Sequence, residues 1–203
     1  LVGTIVGLVD KPNILTGESI RPGDALLGLA SSGLHTNGYS LARKRLFQEF
    51  GLGPEDPLPG FRQKVGTALM KPHLNYSRFL MEALRTGNRG KRADRRRDNT
   101  VFGAAHITGG GMTGNLPRIL PPNCGAVVRT ASWTPLPIFR ALTAGLAVSF
   151  EEAYEVFNMG IGLVLVADAT AVPGIIRLAE QKGHKARLIG EIVAGNRDVH
   201  LER

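Results

Sequence analysis

The apolar positions of this chain come as short aliphatic runs separated by two stretches of helical period. Tyr39, Ala42, Leu46 and Phe50 recur at spacings of three and four and predict a helix over 39–50, ended by Gly51 and Gly53. Tyr76, Phe79, Leu80, Ala83 and Leu84 draw an i, i+3, i+4, i+7, i+8 stripe, the signature of an amphipathic helix closed by Gly87. The aliphatic runs at 1–9, 25–30, 101–107, 125–130, 160–167, 185–193 and 198–202 predict strands, each bounded by turn-forming residues. The run GIGLVLVA (160–167) lacks alternation, which predicts a strand covered on both faces. SFEE at 149–152 is a capping box that starts a helix at Ser149, and 173–183 reads as a helix with Pro near its start and Gly183 at its end. MTGNLPRIL reads as a short helix carrying Pro117. Strands and helices alternate irregularly, so the expected fold is a mixed α/β sheet with helices packed on it, an α/β sandwich and not a strict βαβ repeat.

Length and composition narrow this picture without assigning a function. At 203 residues, 43% hydrophobic and 21% charged, the chain can bury a substantial core. It holds no apolar run long enough for a membrane span. The single cysteine, Cys124, cannot form an internal disulfide and agrees with a reducing cytoplasm. The net charge of +8 is concentrated: residues 88–97, NRGKRADRRR, carry six basic residues against one acid. Such a run reads as a solvated, flexible loop, so nucleic acid is not the expected partner.

Two polar, glycine-bearing stretches carry the candidate chemistry. SSGLHTNGYS (31–40) lies between a strand and a helix and offers Ser31, Ser32, Gly33, His35, Thr36, Asn37, Gly38 and Tyr39. Hydroxyls, an amide and backbone N–H groups at a strand-to-helix turn suit a phosphate or ribose-phosphate group. The same residue types are also ordinary turn and N-cap formers. AHITGGGMTGN (105–115) repeats the arrangement, with Thr108, Gly109, Gly110 and Gly111 at a strand end, where a glycine triplet implies close approach of a ligand or a tight chain crossing. Asn158 and Gly160, in AYEVFNMGIG, lie at a helix-to-strand junction that reads as packing on its own. No catalytic base and no metal ligand is singled out.

Together SSGLHTNGYSLARK, AHITGGGMTGNLPRILP and EEAYEVFNMGIGLVL, in this order, resemble the aminoimidazole ribonucleotide synthetase family, the phosphoribosylformylglycinamidine cyclo-ligases of purine biosynthesis. The resemblance spans nearly the whole chain and implies the family's C-terminal domain as a single unit over 1–203, with 88–99 as a basic insertion. It implies ATP-dependent ring closure of formylglycinamidine ribonucleotide to aminoimidazole ribonucleotide, ADP and phosphate, in a cytoplasmic homodimer. ATP and Mg²⁺ are expected chiefly on an N-terminal nucleotide-binding domain whose motif this sequence lacks, so the chain alone is expected to be inactive. With the resemblance, a substrate and phosphate role is expected for Ser31, Ser32, Gly33, His35, Thr36, Asn37, Gly38, Tyr39, Thr108, Gly109, Gly110, Gly111 and Asn158. Departures occur at His73 and Leu74, where the family carries other polar residues, and at Gly114, where a glutamate is common. The competing readings are a non-catalytic module binding a phosphorylated ligand or RNA, and another member of the same ATP-dependent superfamily.

Overall fold

The structure, a computed structural model, describes residues 3–86, 100–144 and 148–203. Six strands form one sheet: β1 (Ala25–Ala30), β2 (Val101–His106), β3 (Cys124–Arg129), β4 (Ile161–Ala167), β5 (Ala186–Ala194) and β6 (Val199–Glu202), in the order β2-β4-β1-β5-β3-β6. All neighbours are antiparallel except the β3–β6 pair. The helices are α1 (Tyr39–Arg43, continuing as a π-helix over Lys44–Glu49), α2 (Val65–Leu69), α3 (Ser77–Thr86), α4 (Gly111–Asn115), α5 (Pro137–Leu142), α6 (Phe150–Val156) and α7 (Val172–Gln181). Among the described residues no helix is long and apolar enough to cross a membrane.

The sheet is covered on both faces, as an α/β sandwich requires. Every residue of β4 is buried. Ile161, Val164 and Val166 face one core, with Leu46, Phe139 and Phe157, while Leu163, Leu165 and Ala167 face the other, with Phe79, Ala83 and Ile175. The lack of alternation in GIGLVLVA thus reflects double coverage. The Ser149 cap forms as the sequence predicts, its hydroxyl accepting from the Glu152 N–H at 3.0 Å.

Two expectations and two short helices depart from or lie beyond the sequence reading. The apolar run 1–9 is no strand over its described residues, and Ile5, Val6, Leu8 and Val9 lie exposed. β-branched composition favours a strand only where a neighbour supplies the ladder, and no described strand does so here. Helices α2 and α5 are not predicted because five and six residues are too short to show a helical period. The basic insertion at 88–99 lies outside the described residues.

One buried acid sets a pH dependence for the fold. Asp24, at the foot of β1, is 3% exposed, and its Oδ2 accepts from the Arg21 N–H at 2.9 Å. Burial raises its pKa from 3.8 to about 6; Asp168 adds to the rise, while the Arg21 N–H and guanidinium oppose it. The folded state therefore holds this proton more tightly than the unfolded chain. Its contribution to stability is complete below pH 3.8 and is lost as pH rises through 6. Asp24→Asn keeps an acceptor for Arg21 and removes the titration. The wild-type chain is expected to lose on the order of 2–3 kcal/mol relative to this variant between pH 4 and 7, measured by urea unfolding at both values.

Candidate functional site

The stretch 31–38 leaves β1 and turns sharply before α1. Thr36 and His35 both take positive φ, 67° and 52°, and Gly38 follows at 74° as the N-cap of α1. Two consecutive non-glycine residues in this region cost about 1–3 kcal/mol each, so the surrounding contacts must impose the turn. Buried Asn158 supplies two of them and ties both to its own turn. Its Oδ1 accepts from Ser31 Oγ and from the Gly160 N–H, each at 2.9 Å, and its Nδ2 donates to the Gly33 carbonyl at 2.9 Å. Gly38 is required by space as well as by φ, because a Cβ there would press on the Phe157 ring. The Tyr39 hydroxyl donates to the Leu69 carbonyl at 2.6 Å, tying the start of α1 to α2.

The triple glycine follows β2 and meets this loop. The Gly109 N–H donates to Asn37 Oδ1 at 3.0 Å, and Asn37 Nδ2 donates to the His35 carbonyl at 3.0 Å. One amide side chain therefore links the two turns. Buried Asn115 holds the glycine turn from behind, its Nδ2 reaching the Gly111 carbonyl at 2.7 Å and the Gly109 carbonyl at 3.2 Å. Thr108 Oγ1 lies 3.4 Å from Asn115 Oδ1. Gly111, with φ 57°, is a chain crossing: a Cβ there would overlap the Tyr154 carbonyl oxygen of α6. Gly110 also takes a positive φ, of 91°, whereas Gly109 faces outward.

His35 organises the first loop as a neutral imidazole. It is 2% exposed, and its Nε2 accepts from the Ser32 N–H at 3.1 Å and the Leu74 N–H at 3.4 Å, with Ser32 Oγ at 3.0 Å. Ser32 Oγ donates its single proton to the Pro72 carbonyl at 2.5 Å, so the two backbone N–H groups are the donors to Nε2. An Nε2 that accepts these donors leaves the proton on Nδ1, which is buried beside Gly162 without a hydrogen-bond partner. Burial, reinforced by the neighbouring His73 and His106, lowers the His35 pKa to about 4. The imidazole thus carries no charge at neutral pH.

The structure sorts the predicted residues by what they touch. Thr36 and Gly109 lie exposed at the mouth between the two turns, with Ser32 and Asn37 partly exposed beside them. Ser31, Gly33, His35, Gly111 and Asn158 are buried and shape the turns from behind. Three residues absent from the predicted site belong to it: Asn115, His73 and His106. Asn115 stands four residues after the last glycine of the triplet, a polar residue in an apolar helix, and that was its only signal. His73 and His106 carried no periodicity or spacing that joined them. His73 Nε2 lies 3.0 Å from His106 Nε2, and the His73 ring stacks on His35 with centroids 4.0 Å apart. Metal ligands were not expected from the sequence, yet one ring nitrogen from each of these three imidazoles lies within 4.8 Å of the other two.

Residues 21–201 match the family described as AIR synthase related protein, C-terminal domain, and the chain belongs to it. Phosphoribosylformylglycinamidine cyclo-ligase of Geobacter metallireducens is 42% identical over 204 residues, covering 99% of this chain and 55% of that protein. The enzyme of the same name from Geobacillus kaustophilus is 42% identical over 196 residues, covering 96% and 53%. The chain thus spans about half the length of these relatives. Among solved structures, thiamine-monophosphate kinase from Stenotrophomonas maltophilia aligns with a TM-score of 0.53 at 20% identity, covering 95% of this chain and 54% of that one. The hydrogenase maturation protein HypE from E. coli aligns at 0.51 and 20%, covering 91% and 48%. These two likenesses speak to the fold.

Proposed function

We propose that this chain is the C-terminal domain of a phosphoribosylformylglycinamidine cyclo-ligase, and that the mouth between residues 31–38 and 108–111 holds the phosphate end of formylglycinamidine ribonucleotide. The observation that carries the reading is the Asn37–Gly109 hydrogen bond, which holds two donor-rich turns together in a chain 42% identical to named cyclo-ligases. At the mouth the Thr36 hydroxyl and N–H can meet a phosphate directly, and the Gly109 N–H, the Asn37 amide and the Ser32 hydroxyl can do so by exchanging their present bonds to Asn37, the His35 carbonyl and the Pro72 carbonyl. Residues 31–40 and 105–115 contain no carboxylate. That donor set does not fit Mg²⁺, which takes carboxylate oxygens and water, so Mg²⁺ and the ATP phosphates it escorts are assigned elsewhere in the two-domain enzyme. In the cytoplasmic dimer that the family resemblance implies, this domain binds and orients the ribonucleotide. Holding the formyl oxygen and the attacking nitrogen in register accounts for the domain's share of catalysis, by positioning.

The test is calorimetric titration of the chain with formylglycinamidine ribonucleotide, with ribose 5-phosphate as competitor and a single-stranded RNA as the control. Saturable binding of the ribonucleotide, displaced by ribose 5-phosphate, is expected. Asn37→Ala removes the link between the turns and should weaken this binding about tenfold, a loss of about 1.4 kcal/mol. Binding of the RNA alone would favour the module reading instead.

A further inference from the structure

Three of the five histidines of this chain meet although they are far apart in sequence. His35 comes from the turn before α1, His73 from the segment before α3 and His106 from the end of β2. One ring nitrogen from each lies within 4.8 Å of the other two. His35 is buried, whereas His73 and His106 are exposed, so the group has a closed floor and an open mouth.

The closest pair sets the chemistry. Two Nε2 atoms 3.0 Å apart can share one proton, but two neutral lone pairs at that distance repel unless something lies between them. Zinc binds imidazole nitrogen at about 2.0–2.1 Å, so two ligands of one tetrahedral ion stand roughly 3.3–3.4 Å apart. The His73–His106 spacing is near that value already. His35 and His73 are stacked at an interplanar angle of 17°, and two nearly parallel rings cannot direct in-plane lone pairs at one ion. The stacked His35 therefore buttresses His73 and is not itself a ligand. His35 is the more constrained ring, held at Nε2 by Ser32 and Leu74.

We propose that His73 and His106 chelate a first-row divalent metal ion, zinc foremost, over a floor formed by the buried His35 ring. Imidazole donors select zinc, copper and nickel over magnesium and calcium. The exposed mouth leaves further coordination positions to water or to an anionic ligand. The site is independent of the substrate reading, because its test uses the metal alone.

The measurement is titration of the tag-free chain with zinc by calorimetry and with cobalt(II) by visible absorption. One ion per chain is expected, with intense cobalt bands of low-coordinate geometry. His73→Asn and His106→Asn should each weaken binding about tenfold or more. Both side chains are exposed, so the variants should melt like the parent. His200→Asn, which breaks the separate pair with Asp198 at 2.6 Å, should leave metal binding unchanged. The proposal is overturned if no saturable site is found, if binding survives both the His73 and His106 changes, or if His200→Asn is the change that abolishes it.

Discussion

Gly111→Ala is expected to destabilise the chain by about 4 kcal/mol, combining a positive-φ penalty with overpacking against fixed backbone. The Cβ would overlap the Tyr154 carbonyl oxygen, an atom of the α6 backbone that cannot swing aside as a side chain can. Relief would require α4 and α6 to separate, which pulls the glycine turn away from Asn37. The neighbouring Gly109 supplies the control. A Cβ there meets nothing closer than Asn37 Oδ1 at 3.5 Å, and no positive φ is involved. Gly109→Ala should therefore cost less than about 1 kcal/mol. Chemical denaturation of the two variants checks the contrast: similar losses would mean that the triplet is not a crossing at its third position.

Asn158→Ala is the second large effect, expected at about 3–4 kcal/mol. The truncation strands three buried groups at once: Ser31 Oγ, the Gly160 N–H and the Gly33 carbonyl. Each unsatisfied group costs about 1–3 kcal/mol, less than additively where the loop relaxes or water enters. Because Asn158 helps to hold a turn that contains two strained residues, part of the loss should appear as opening of residues 31–38. Hydrogen exchange would show this as faster exchange confined to that turn. Ser31→Ala removes one partner only and should cost about 1 kcal/mol. Equal effects of the two changes would mean that Asn158 does not act as a three-way tie.

Much of the fold was legible because its signals are local. The stripe from Tyr76 to Leu84, the Ser149 cap and the unbroken run of β4 each state their own environment within a dozen residues. The short α2 and α5 are too brief to have a period, and the run 1–9 has strand composition but no described neighbour to pair with. At the site, the glycine turns were legible for the same reason, since glycine reports the backbone it allows. Their division of labour was not. Gly109 faces solvent and Gly111 faces Tyr154, a difference set by where α6 lies. The histidine group was equally hidden, because residues 35, 73 and 106 meet only once β2 is placed beside β4 and the segment before α3 is laid against the first turn.

The central claim is that the two turns form one phosphate-holding mouth in a cyclo-ligase domain. Amide chemical shifts of the isotope-labelled chain, followed during titration with formylglycinamidine ribonucleotide, test it most directly. Saturable shifts clustered at residues 31–38 and 106–111 are expected, with matching midpoints for both groups and loss of both in Asn37→Ala. Shifts centred instead on the basic residues 88–99, or on α7 at the far face of the sheet, would contradict it, as would a first turn that responds while the glycine turn does not.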